Sequence, residues 1–284
     1  MKPLAITLGD PAGIGPEVVA KALAGLDLPV RFFGRTPPDV RYGEVSADYG
    51  RIALEAIDAA VRAVETGECS ALVTAPIHKL AIAAAGSIYP GHTELLAARA
   101  GLARYAHDYA MYFDSPSARA VLLSVHVPLR EAIAAINAED IAALATLTAR
   151  EWPRLHKRAP RIGVAGLNPH AGEGGKFGDE EREIARGVTL AREAGIDASG
   201  PHPADTIFRG QYDVVIAMYH DQALIPIKTM SFAQSVNVTL GLPYLRVSVD
   251  HGTAFDIAGK GIADAAPMRY AIEFAAKHAE EFGP

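Results

Sequence analysis

The chain has 284 residues, half of them hydrophobic, enough to bury a large core as one big α/β domain or as two lobes. A formal net charge of -6, a pI near 5.9 and scattered Lys and Arg provide no basic face for nucleic acid, and no window approaches the roughly 18 uninterrupted apolar residues of a membrane span. The single cysteine, Cys69, excludes an internal disulfide, and Met1 to Leu4 runs into a strand-like stretch rather than an apolar leader, so a cytoplasmic protein is expected.

Short apolar runs alternate with amphipathic stretches, the pattern of βα units around a mostly parallel sheet. In chain order, a strand over 4–8 leads through a glycine-rich turn to a helix over 16–23, opened by Pro16 at its first position. A strand over 30–33 is followed by an irregular connection over 35–50 and a helix over 52–65. A strand over 71–73 then precedes a helix over 93–100. Strand 120–125 is followed by helices over 130–136 and 139–148, and 151–160 is a candidate joint between lobes at 1–150 and 151–284. Strand 161–166, helix 179–193, strand 213–218, strand 245–249 and helix 267–277 complete the pattern.

Four of the ten histidines fall just past the carboxyl ends of these strands: His126, His170, His220 and His251. Ligands of open α/β sheets bind at that edge, where loops converge over a rigid sheet. Any one of these histidines alone fits a side chain that bonds a loop carbonyl. Four together point to a catalytic divalent metal, because three imidazoles leave a coordination position open for substrate. The pattern does not say which three.

Other chemistry gathers near the same edge. The stretch Gly9 to Glu17 carries three glycines between strand and helix, a layout for either a tight turn or an anion cradle of backbone N–H groups. Neither it nor Asn168 to Gly178 matches a dinucleotide-binding fingerprint. Thr93 is placed to cap a helix start, with His92 beside the positive helix end. Lys228, Asn237 and Arg246, read as lying in loops, supply two cations and an amide for a phosphate or carboxylate. There is no nucleophile elbow and no Walker loop.

Seven stretches in order, Gly9 to Glu17, Thr74 to Pro76, Pro90 to Glu94, Asn168 to Glu173, Tyr219 to Gln222, Val236 to Pro243 and Asp250 to Ala254, resemble the motif set of the 4-hydroxythreonine-4-phosphate dehydrogenase family, which includes threonate and erythronate 4-phosphate dehydrogenases. The resemblance implies a two-lobed, mostly parallel α/β fold of the isocitrate/isopropylmalate dehydrogenase type, with the active site in the cleft. It also implies a homodimer with active sites at the subunit interface, and NAD and a divalent metal ion (Zn, Mg or Co) as cofactors. The implied reaction is oxidation of 4-hydroxythreonine 4-phosphate followed by decarboxylation to 3-amino-2-oxopropyl phosphate, in pyridoxal 5'-phosphate biosynthesis. The alternative substrate is threonate or erythronate 4-phosphate in sugar acid catabolism. A third possibility is a non-catalytic phosphometabolite-binding module. Carried over by position, the metal ligands are His126, His170 and His220. The substrate contacts are His92, Thr93, Lys228, Asn237 and Arg246, with Lys228 and His220 in catalysis. The chain departs from the family by being shorter around 35–52 and by carrying His78, Leu80, Ala223 and Ser231 where other residues are common.

Overall fold

The computed structural model describes residues 2–280 and 282. Ten strands, β1 (Leu4–Thr7), β2 (Val30–Phe33), β3 (Leu72–Thr74), β4 (Ala110–Asp114), β5 (Arg119–Leu122), β6 (Ile162–Ala165), β7 (Ala198–His202), β8 (Val214–Ala217), β9 (Val236–Leu240) and β10 (Arg246–Ser248), alternate with nine helices among the described residues. The helices are α1 (Gly15–Leu23), α2 (Ala47–Glu65), α3 (Lys79–Ala84), α4 (His92–Arg99), α5 (Leu129–Ala134), α6 (Ala138–His156), α7 (Glu180–Glu193), α8 (His220–Ser231) and α9 (Ala266–His278).

The chain separates into two compact units, one of residues 1–101, 233–238 and 242–284, the other of 102–232 and 239–241. The expected lobe boundary at 150 falls inside α6, which continues to His156 with Pro153 in its last turn. The candidate joint over 151–160 is therefore largely helix. Asn137 starts α6 by accepting the Asp140 N–H at 2.8 Å, which satisfies one of the amides a helix start leaves open.

In the first unit β2, β1, β3 and β10 run parallel in that order, and β9 pairs antiparallel with β10. The run of β1, Leu4-Ala5-Ile6-Thr7, is buried at every position, as a parallel strand covered on both faces requires. α2 packs against β1, β2 and β3, and α9 packs against β3, β10 and α1. Ser46 accepts the Asp48 N–H, so α2 begins at Ala47, inside the stretch expected to be irregular.

In the second unit β5, β8, β6 and β7 run parallel, with β4 antiparallel on β5. Ala223, Leu224 and Ile227 of α8 pack with Met111, Phe113, Leu122 and Ala217 in one apolar cluster. Strands β4, β7 and β9 and helices α3 and α8 were not foreseen from the sequence.

Candidate functional site

In the second unit the strand order does what sequence order does not reveal. β5, β8 and β6 are adjacent parallel strands, and His126, His220 and His170 each follow one of them. Parallel neighbours lie about 4.8 Å apart, so three imidazoles past three neighbouring carboxyl ends fall on one short stretch of edge. The His126 and His220 rings approach to 5.8 Å between centroids.

Each histidine is positioned differently. His220 opens α8, with Tyr219 as the residue before the helix. Its Nδ1–H donates to Asp221 Oδ1 at 2.6 Å, which leaves Nε2 as the electron-pair donor. The buried Gln222 ties two strand ends together: its Oε1 accepts the Met218 N–H at 2.7 Å, and its Nε2 donates to the Gly166 carbonyl at 2.8 Å. That bridge fixes the β8 end, which carries His220, to the β6 end, which carries the His170 loop. In that loop residues 170–174 all have positive φ, between 43° and 77°, a left-handed run that costs conformational energy at the three non-glycine positions. Glu181 of α7 holds its start, accepting the N–H groups of Leu167 (3.0 Å) and Asn168 (2.6 Å).

Imidazole donors at adjacent strand ends suit a divalent ion in kind. Among the described residues, however, no group of three His, Cys, Asp or Glu side chains is already gathered closely enough to hold one. The structure brings His126 and His220 together and leaves both His126 and His170 exposed.

Lys228 was expected in a loop. It lies in the last turn of α8, eight residues after His220, so the two share one face of the helix but stand about 12 Å apart along its axis.

In the first unit, residues at the carboxyl ends of β1, β3 and β10 and near the amino end of the antiparallel β9 form a polar row: Thr7 pairs with Thr74, Thr74 with Ser248, and Ser248 with Asn237. Arg246, 2 % exposed on β10, donates from Nη2 to Thr74 Oγ1 at 2.8 Å. Burial pulls its pKa down to about 10, against the favourable charges of Tyr244 and Glu94, so it remains a cation at neutral pH. His92 is the first residue of α4; burial, and then the positive charge of Arg246, keep its pKa well below the usual value. Its Nε2 is buried without a hydrogen bond, and so is Asn237 Oδ1. Gly91, not Thr93, occupies the cap of α4, and no side chain caps the helix there. No side chain therefore takes up the first-turn amides of α4, whose positive helix end carries His92 within the field of Arg246, and such a helix start suits an anion.

The glycine-rich stretch after β1 resolves as a turn. The N–H groups of Asp10, Ala12, Gly13 and Ile14 are all used internally, on Pro76 O, Asp10 Oδ1, Asp10 O and Thr253 O. Gly9, at φ +72°, has its α-carbon so close to Pro76 O that a Cβ would stand 2.2 Å from that oxygen. The same turn buries Asp10, whose Oδ2 has no hydrogen-bond partner, near His78, whose Nδ1 also has none. His251 bonds the Gly252 carbonyl through Nδ1 at 3.0 Å, while its Nε2 is buried without a partner.

Two mostly parallel α/β units with ligand-type side chains at the carboxyl strand ends share the fold of isocitrate dehydrogenase; the enzyme from Methylococcus capsulatus superposes with a TM-score of 0.54 at 15% identity, covering 99% of this chain and 88% of that one. The family model "Pyridoxal phosphate biosynthetic protein PdxA" matches residues 17–275, and the chain belongs to that family. It is 43% identical to 4-hydroxythreonine-4-phosphate dehydrogenase of Beijerinckia indica, over 97% of this chain and 94% of the relative. It is 37% identical to D-threonate 4-phosphate dehydrogenase of Salmonella typhimurium, over 96% of this chain and 98% of the relative. The crystal structure of 4-hydroxythreonine-4-phosphate dehydrogenase from Klebsiella pneumoniae matches with a TM-score of 0.87 at 37% identity, covering 98% of this chain and 100% of that one. The Beijerinckia alignment extends over 326 positions, more than this chain contains, in keeping with a shortened member. No helix among the described residues is long and apolar enough to cross a membrane.

Proposed function

We propose that the chain is an NAD-dependent and divalent-metal-dependent dehydrogenase that oxidises 4-hydroxythreonine 4-phosphate and decarboxylates the product to 3-amino-2-oxopropyl phosphate, acting as a homodimer with active sites at the subunit interface. The observation that carries this reading is the buried Arg246, held beside His92, Thr93 and the open first turn of α4. A guanidinium in this buried setting matches a phosphate or carboxylate through paired, charge-assisted hydrogen bonds, and a phosphorylated, carboxylated substrate supplies both groups.

His126, His170 and His220 would hold the metal, with Asp221 fixing the tautomer of His220. When bound, the divalent ion supplies a Lewis acid for the substrate hydroxyl and for the later enolate, and NAD supplies the hydride acceptor. Arg246 and the α4 amides would bind one anionic end. Neutral His92 would donate or accept a hydrogen bond without adding charge, and Thr93 and Asn237 would orient the chain of carbons. Lys228 would move protons, taking one as the hydroxyl carbon becomes a ketone and returning one to carbon after carbon dioxide leaves.

A second reading, oxidation of threonate 4-phosphate, is favoured by the near-equal similarity to the Salmonella enzyme. The test is NADH absorbance with metal-reconstituted protein and each phosphate in parallel, together with metal content of His126→Ala, His170→Ala and His220→Ala. Turnover preferring the amino acid phosphate, with metal and turnover lost in all three variants, supports the proposal. Preference for threonate 4-phosphate transfers it to the second reading. Absence of NADH with every substrate refutes both.

A further inference from the structure

Asp10 is fully buried and its side chain is only half used. Oδ1 accepts the Ala12 N–H at 2.9 Å, whereas no hydrogen bond of good geometry reaches Oδ2, near which only the His78 amide lies. Burial raises the carboxyl pKa, while the Ala12 amide and the His78 imidazole and amide favour the charged form. The surroundings are held in place by backbone contacts. Asp10 N–H bonds Pro76 O at 2.9 Å, two residues before His78, and the His78 ring stacks on Phe255 with centroids 4.4 Å apart and planes 21° apart. His78 Nδ1 is buried without a partner, as is Thr7 Oγ1 at the end of β1. Three buried polar atoms in need of partners thus adjoin one turn at the carboxyl edge of β1 and β3, and a ligand that satisfied them would recover a substantial desolvation cost.

The chemistry of that ligand is constrained. Phosphate and carboxylate are acceptors and would meet Asp10 as like charges. An ammonium would be drawn to Asp10 but has no acceptor to offer Thr7 Oγ1–H or a ring N–H of His78. A primary carboxamide has N–H donors for Asp10 Oδ2 and a carbonyl oxygen for Thr7 Oγ1–H or a ring N–H of His78, and it carries no charge. Attached to a planar heteroaromatic ring, it would lie next to the flat His78–Phe255 wall. We propose that Asp10, with His78 and Thr7, receives the carboxamide of the nicotinamide ring and so fixes the face of the ring from which hydride is accepted. This inference rests on the NAD-dependent reading above.

The test replaces Asp10→Asn. The Ala12 N–H still finds Oδ1, so the turn is kept, while an NH2 group takes the place of Oδ2 and turns an acceptor into a donor. Binding is measured by titration calorimetry on the full chain with NAD and with its 3-acetylpyridine analogue, which lacks the amide N–H groups. Hydrogen bonds to a charged group are strong enough that wild type should prefer NAD by at least about 10-fold, and Asp10→Asn should bring the ratio close to one by weakening NAD alone. Affinity for inorganic phosphate, which Asp10 does not contact in this proposal, should stay within about twofold in that variant. Equal weakening of both dinucleotides, or an unchanged ratio, would overturn the proposal. Failure of wild type to bind either dinucleotide would instead sink the dehydrogenase reading on which it rests. If Asp10→Asn melts far below wild type, Thr7→Val provides the second variant, with the same selective loss of NAD expected and the same ratio deciding.

Discussion

Replacing Arg246 by Met separates binding from stability in a way few substitutions do. Arg246 is 2 % exposed, and burial lowers its pKa from the usual guanidinium value to about 10. At about 1.4 kcal/mol per pKa unit, the protonated form in the folded chain is penalised by roughly 3 kcal/mol relative to the unfolded chain. Below both values the group is protonated in both states and the penalty is complete; above about pH 10 the unfolded chain still binds the proton that the folded chain releases, so stability rises with pH there. At neutral pH, Arg246→Met removes the penalty together with the hydrogen bonds of the guanidinium, that from Nη2 to Thr74 Oγ1 among them, each worth about 1 kcal/mol. The expected net result is a stability within about 2 kcal/mol of wild type in denaturant unfolding at pH 7.5. The same substitution should cost 10-fold or more in phosphate or substrate affinity, because a charge-assisted bond to an anion is worth about 1.5–3 kcal/mol. Equilibrium urea unfolding with and without phosphate measures both. A variant less stable than wild type by over 2 kcal/mol, yet still stabilised by phosphate to the same extent, would refute the reasoning that this cation is kept for a ligand.

Two further outcomes follow from single side chains. His92 has its pKa held well below 6.5 by burial and then by Arg246, so below the unfolded value the unfolded chain binds the proton that the folded chain refuses. Stability should therefore fall as pH drops below about 6.5, and His92→Gln should flatten the difference between unfolding curves at pH 7.5 and 5.5; an unchanged difference would remove His92 as its source. Gln222→Leu should lose the bonds to Met218 and Gly166, destabilise the chain by about 1–3 kcal/mol and weaken metal binding about 10-fold or more, read from metal titration; intact metal affinity would show that the bridge does not position the histidines.

Much of the α/β order was legible because buried parallel strands read as apolar runs: β1, β3, β6 and β8 lie where such runs stand, within a residue or two. The omissions have specific causes. β7 is Ala-Ser-Gly-Pro-His, with too few apolar residues to register as a strand, and it is kept in the sheet by pairing with β6. α8 was hidden by Pro226, which normally ends helices, and by the expectation that Tyr219 to Gln222 would be loop; the packing of Ala223, Leu224 and Ile227 against β4, β5 and β8 outweighs the missing N–H of the proline. The first turn of α2, residues 47–51, went unseen because its signal is the Ser46 cap rather than apolar periodicity.

The candidate site was legible in kind and not in arrangement. Sequence shows a histidine after each of four strands, but the value of three of them depends on β5, β8 and β6 being neighbours, and that order comes from long-range pairing that no local pattern encodes. Gln222 illustrates the difference. In the sequence it is one more polar residue after His220; in the fold it spans from the end of β8 to the end of β6 and makes two histidine-bearing segments a single edge. Asp10 makes the complementary point. A carboxylate in a glycine-rich turn looks like turn chemistry, and half of it is, since Oδ1 holds the Ala12 amide. The role proposed for it lies in the other oxygen, because only burial distinguishes an acceptor satisfied by water from one left for a ligand. Sequence can therefore nominate the chemical groups of such a site, while strand order and burial decide which of them act together.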